Sequence, residues 1–163
     1  MTTIEGNGRA TGFRFALVVS KYHDFVTDRL QAGALAALAA AGVDSTEVAV
    51  VRVPGAFEIP LAARRAAESG RYDAIICLGC LIRGETSHFE YIASAVAHGL
   101  TTAAGATGVP MSFGVLSTNS VEEALARAGE GAGNKGHEAA VAAIEMASIV
   151  AKLTDQSRTK TPT

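Results

Sequence analysis

The stretch of the chain richest in reactive groups is Gly79-Cys-Leu-Ile-Arg-Gly-Glu-Thr-Ser-His-Phe-Glu-Tyr91. There an apolar run gives way to glycines, an arginine, two hydroxyls and a histidine before a helical pattern begins. Glycine lets backbone approach a ligand closely, and the first turn of a helix offers unpaired N–H groups and a positive dipole end to an anion. On spacing alone His88 reads as a helix-start residue. Beside an anion, however, its imidazole could both accept and give a proton near neutral pH. Arg127 falls at the end of a short helix, before a glycine link, and is either a counter-charge for that anion or a surface arginine favoured by a helix C-terminus. Tyr22 and Phe113, assigned to two different strand ends, could stack on a planar ring or be ordinary turn and core aromatics.

Two other motifs are weaker. Cys77 and Cys80 have a CxxC spacing, but both fall in an apparent strand, where positions three apart point to opposite faces, and no further zinc ligands are supplied nearby. The run Gly129-Glu-Gly-Ala-Gly-Asn-Lys-Gly136 superficially suggests a nucleotide loop. A P-loop needs a preceding strand and Ser or Thr after its lysine, whereas here a helix precedes and Gly136 follows Lys135. Loop or hinge flexibility is the better account, with Lys135 a possible anion contact. There is no Ser-His-Asp pattern and no His-Glu-x-x-His motif, so the expected catalysis is metal-free acid–base work aided by positioning.

The elements that must position these residues follow from periodicity. Phe13 to Val19 is a short apolar run of the kind buried in a parallel sheet, and Val26, Leu30, Ala34 and Leu38 then recur at helical spacing up to Gly42. Glu47 to Val53 reads as a second strand, stopped by Pro54-Gly55. Ala56 to Ser69 reads as a helix with Pro60 in its first turn, where a missing N–H costs little. The third strand spans Ala74 to Ile82 and the third helix Thr86 to Ala104. A fourth strand spans Pro110 to Leu116. Ser120 with Glu123 makes a capping-box start for a short helix ending near Gly129, and a last helix runs through Val150. Residues 1–12 read as an extended arm, and the polar, aperiodic residues 152–163 as a disordered tail.

Strand and helix alternate four times, which predicts a three-layer α/β/α sandwich on a four-stranded parallel sheet with right-handed crossovers. Residues 20–24, 54–58, 79–88 and 113–118 would then emerge on one sheet edge, where open sheets of this kind bind ligands. The 163 residues allow one well-cored domain, and a formal net charge of −2 gives no sign of a nucleic-acid partner. No apolar run approaches the roughly 18 to 20 residues needed to cross a bilayer, so a cytoplasmic protein without a membrane partner is expected. The composition is 48% hydrophobic yet only 6% aromatic, so the core should be aliphatic and alanine-rich, with closely packed helices.

Four ordered stretches carry a family resemblance: Val53-Pro-Gly-Ala-Phe-Glu-Ile-Pro60, Ala74-Ile-Ile-Cys-Leu-Gly79, Ile82-Arg-Gly-Glu-Thr-Ser-His-Phe-Glu-Tyr91, and Ala126-Arg-Ala-Gly129 with Gly133-Asn-Lys-Gly136. Over about residues 4 to 150 the chain resembles the 6,7-dimethyl-8-ribityllumazine synthases of riboflavin biosynthesis, with a flavodoxin-like domain at residues 13–151. The resemblance implies a transferase that condenses 5-amino-6-(D-ribitylamino)uracil with 3,4-dihydroxy-2-butanone 4-phosphate, releasing phosphate and water, with no cofactor and no metal. Tyr22 would stack on the pyrimidine. Ala56, Phe57 and Glu58 together with Cys80, Leu81 and Ile82 would hold the ring edge and ribityl chain. Glu85 and Thr86 would offer backbone N–H groups to phosphate, Arg127 would neutralise it, and His88 would move protons. Phe113 and Arg127 would come from a neighbouring subunit.

The same resemblance implies a homo-oligomer, a pentamer or its multiples up to an icosahedral shell, and the glycine link resembles that of shell-forming members. Tyr22 stands where Phe or Trp is commoner, and His23 where Asn is frequent. A non-catalytic shell protein, or a flavin- or lumazine-binding protein of the same fold, is the alternative reading.

Overall fold

A computed structural model describes residues 1–158, with side chains described for residues 1–155. Four strands, β1 (Phe15–Ser20), β2 (Val48–Val53), β3 (Ala74–Ile82) and β4 (Met111–Thr118), form one sheet in the order β2-β1-β3-β4, with every neighbouring pair parallel. The helices are α1 (Asp24–Ala40), α2 (Ile59–Glu68), α3 (His88–Thr107), α4 (Val121–Ala126) and α5 (Lys135–Arg158). This is the expected three-layer, flavodoxin-like α/β arrangement.

The layers follow from side-chain alternation along the buried central strands. Phe15, Leu17 and Val19 of β1, with Ile76 and Leu78 of β3, pack against α1 and α5. Ala16 and Val18, with Ile75 and Cys77, pack against α2 and α3. On the first face, Ala34 and Ala37 of α1 and Ala140, Ala143 and Ala147 of α5 are all buried. Small side chains let these helix backbones approach, as the composition predicts. No helix among the described residues is long and apolar enough to cross a membrane.

Several local expectations need correction. Strand β1 begins at Phe15 rather than Phe13, and α3 begins at His88 rather than Thr86, so Glu85 and Thr86 lie in the loop before the helix. Residues 56–58 form a 3-10 turn leading into α2, with Pro60 in the helix's first turn. The tail was expected to be disordered from residue 152, yet α5 continues through Arg158; residues 159–163 lie outside the described residues. Strand β4 runs to Thr118, which pairs with Ile82, so Phe113 lies near its start, opposite Cys77. Phe113 is therefore not at the ligand-binding edge of its own sheet.

The glycine link is not a loose hinge either. The Asn134 side chain, buried at 3% exposure, donates to the carbonyls of Arg29 (3.1 Å) and Gly129 (2.8 Å) and accepts from the N–H groups of Gly136 (2.8 Å) and His137 (3.1 Å). It thereby caps α5 and ties the link to α1. At Gly136 the backbones are so close that a Cβ would overlap the Leu30 carbonyl.

Candidate active site

The C-terminal edge of the sheet carries a concavity of about 940 Å³, within the size range of small-molecule sites. Each strand end delivers one part of it. After β1, Tyr22 and His23 enter at the start of α1; after β2, the 3-10 turn brings in Ala56, Phe57 and Glu58; and the last residues of β3 contribute Cys80, Leu81 and Ile82. The loop before α3 and the helix's first turn add Gly84, Thr86 and His88. Nine of the predicted site residues thus share one concavity, while Glu85 is exposed in the same loop without lining it.

The loop has the properties of an anion cradle. Among the described residues, the backbone N–H groups of Gly84, Glu85 and Thr86 have no hydrogen-bond partner within the chain. They precede a 20-residue helix whose N-cap, Ser87, makes no side-chain cap bond. Unpaired donors and the positive helix end therefore face outward together. Within the turn itself, among the described residues, a long contact of 3.4 Å runs from the His88 N–H to the Thr86 hydroxyl. Neither the His88 ring nor the Glu58 carboxylate has a hydrogen-bond or ion-pair partner among the described residues, so both remain available to a ligand.

Tyr22 projects from a tight turn. His23 is the only non-glycine residue of the described chain with positive φ (59°), a left-handed conformation in which Asn, Asp and His are over-represented. That conformation sets the Tyr22 and His23 rings 4.4 Å apart and tilted, with Phe25 edge-on to His23 at 5.8 Å. Partial burial holds the His23 imidazole below its ordinary pKa, favouring a neutral ring beside the two aromatics.

Phe113 and Arg127 lie elsewhere. They line a second concavity of about 680 Å³ along the outer edge of β4, against α5, together with Lys135 and Glu138. The register sets Phe113 five residues before the strand end, roughly 16 Å back along β4 at about 3.3 Å per residue. Arg127 ends α4 and donates to the Glu123 carbonyl at 3.1 Å, but has no carboxylate partner among the described residues. Lys135, by contrast, is paired with Glu138 at 2.7 Å. Within one chain, the predicted cation and the second aromatic therefore do not meet His88.

The two cysteines occupy opposite faces of β3, as the spacing requires: Cys77 packs with α2 and α3, Cys80 with the α1 and α5 layer. Both are free thiols, and burial raises their pKa to about 12 and about 11. Their anions are thus disfavoured as metal ligands or nucleophiles near neutral pH. The concavity also holds Phe89, Tyr91, Ile92, Ala95 and Val121, none of which the sequence assigned to the site; Phe89 and Ile92 read only as part of the apolar face of α3. For the α3 residues the signal was one helix face, on which Tyr91 and Ala95 sit one turn apart with Tyr91 exposed, while Val121 opens α4 and had none.

A family model described as 6,7-dimethyl-8-ribityllumazine synthase matches residues 12–151 of the chain, which includes every element from β1 through most of α5.

Proposed function

Because the chain belongs to the 6,7-dimethyl-8-ribityllumazine synthase family of riboflavin biosynthesis, we propose that it condenses 5-amino-6-(D-ribitylamino)uracil with 3,4-dihydroxy-2-butanone 4-phosphate, releasing phosphate and water. The pyrimidine stacks on Tyr22. The segments Ala56–Glu58 and Cys80–Ile82 hold its edge and ribityl chain, with the unpartnered Glu58 carboxylate accepting from ribityl hydroxyls. The phosphate sits on the free amides of Gly84–Thr86. His88, two residues after Thr86 at the start of α3, moves protons as the substrate amine forms an imine with the ketone and as phosphate leaves. Holding the two substrates in one orientation supplies much of the acceleration.

The observation that carries this reading is the division of the predicted residues between two concavities on different faces of the chain. Thr86, His88 and the predicted ring-holding residues line one, while Phe113 and Arg127, which has no carboxylate partner among the described residues, line the other. A complete site then needs two copies packed face to opposite face, with the second supplying the cation. Such heterologous contacts build rings, in keeping with a pentamer or its multiples.

The test is formation of the lumazine chromophore from the two substrates. Arg127→Ala should abolish turnover with assembly intact, and His88→Ala should slow it. Co-expressed, the two variants should recover activity above the mean of the parents, because about a quarter of randomly paired interfaces combine two intact halves. A mixture no faster than that mean would refute the shared site. Tight lumazine or flavin binding without turnover would identify a binding protein instead.

A further inference from the structure

From the contacts of one side chain outside the ligand concavity, we infer that Arg83 is a positioning residue that clasps both ends of the Gly84–Thr86 turn and so pre-forms its anion site. This rests on the phosphate-binding reading given above. The main-chain N–H of Arg83 donates to the Thr118 carbonyl at 2.9 Å, which fixes the start of the turn to the end of β4. Its guanidinium then divides. Nε donates to the Asn119 side-chain oxygen at 2.9 Å, Nη1 pairs with the Glu90 carboxylate, and Cζ lies 4.6 Å from the centre of the Phe89 ring. Phe89 and Glu90 belong to the first turn of α3, immediately after the loop.

The turn itself has almost nothing of its own to hold it. Three successive amides lack partners among the described residues and Gly84 lacks a side chain, so without the clasp the segment would sample many conformations, most of which do not converge the amides on one point. Ordering it in advance removes that entropic cost from phosphate binding. The Nε and Nη1 groups of Arg83 are already engaged by an amide oxygen and a carboxylate, which makes the guanidinium a brace for the turn before it is a cation for the phosphate. Exposed ion pairs contribute little to global stability. The effect of the clasp should therefore appear in affinity for the phosphorylated substrate and hardly at all in melting temperature.

The experiment compares Glu90→Gln, Asn119→Ala, Arg83→Ala and Arg83→Lys in the full-length protein. It reads KM for each substrate, kcat, competitive inhibition by inorganic phosphate, and Tm. Glu90→Gln and Arg83→Ala should each raise KM for the phosphorylated substrate and the inhibition constant for phosphate roughly tenfold, equivalent to about 1.4 kcal/mol. The KM for the pyrimidine and kcat should stay within about twofold, and Tm within about 3 °C. Asn119→Ala should give a smaller change of the same kind, because it removes a neutral acceptor. The double variant Arg83→Ala/Glu90→Gln should be no worse than Arg83→Ala, since both remove one interaction.

Arg83→Lys should remain impaired, because an ammonium cannot bridge Glu90 and Asn119 in a fork. Full activity in Arg83→Lys would mean that charge alone matters, and unchanged or tighter phosphate binding in Glu90→Gln would make Arg83 a direct anion ligand or a bystander. Either result overturns the clasp. A native protein that neither turns over the substrates nor is bound by phosphate would overturn the functional reading itself, and the clasp with it.

Discussion

Replacing Asn134 with alanine tests whether the glycine-rich link is an ordered joint. The asparagine makes four hydrogen bonds from a buried position, and they separate into two classes. Its oxygen caps α5 through the N–H groups of Gly136 and His137, and loss of such a cap costs about 1 kcal/mol. Its amide nitrogen satisfies the Arg29 and Gly129 carbonyls, and leaving a buried acceptor unpaired costs roughly 1 to 3 kcal/mol. The Gly129 side of the link is partly exposed, so water can replace that bond at little cost. The sum is about 2 to 4 kcal/mol, or a fall in Tm of roughly 4 to 16 °C for a chain of this length. The assay is chemical and thermal unfolding at one fixed protein concentration, because self-association under the proposed function would add to apparent stability. Asn134→Ser should lie between the parent and the alanine variant, as serine restores the cap oxygen but cannot span to both carbonyls. A loss below about 0.5 kcal/mol for Asn134→Ala, or a serine variant no better than alanine, would refute the account.

Gly136→Ala should destabilise by about 1 to 3 kcal/mol or more, since its Cβ has to displace the Leu30 carbonyl and so separate α5 from α1. Gly133→Ala in the same link meets open space and should stay within about 0.5 kcal/mol, as unfolding curves would show. The two thiols should resist alkylation at pH 8 in the native protein and react fully once it is unfolded. Burial raises their pKa from 9.0 to about 12 for Cys77 and about 11 for Cys80, so the folded state favours the neutral form. That contribution is complete below about pH 9 and is lost as pH rises towards those values. Cys→Ala variants should accordingly flatten the alkaline fall in stability. His23→Asn keeps a residue tolerant of the left-handed region and should leave Tm nearly unchanged, whereas His23→Val should cost about 1 to 2 kcal/mol.

The architecture was legible because it is written in local periodicity. Four apolar runs with helical spacing between them can only satisfy their buried faces as layers on a parallel sheet, and Ser120 and Glu123 marked the start of α4 correctly. The Ser120 hydroxyl accepts from the Glu123 N–H at 3.1 Å, while the Glu123 carboxylate takes the N–H of Asn119 at 2.9 Å. The grouping of residues 22, 56–58 and 80–88 was legible for the same reason, since each lies at the end of a strand or just after it. What escaped reading was non-local. The place of Phe113 depends on the register of β4 against β3, which no single strand encodes. The order of the glycine link depends on Asn134 reaching a carbonyl 105 residues away. The Arg83 contacts join residues 36 apart through the end of β4. The persistence of α5 beyond Val150 had no signal because its last turns are polar and carry no apolar stripe.

Under the proposed function, the register of β4 ties assembly to chemistry. The ligand edge leaves large aromatics in water, Tyr22 at 68%, Phe57 at 63% and Tyr91 at 74% exposure, and the β4 edge leaves Phe113 at 51%. Exposed apolar groups around a concavity are ordinarily covered by a partner or a ligand. Because the two faces differ, a contact between them would be head-to-tail, and under the proposed function each chain would lend its Arg127 to one neighbour while borrowing another from the opposite neighbour. The anion cradle would then bind phosphate weakly in an isolated chain, through backbone amides alone, and strongly once a guanidinium closes over it. Dilution into monomers should therefore remove phosphate affinity and turnover together, while the nine residues of the ligand edge keep their arrangement, since they are held by strands within one sheet.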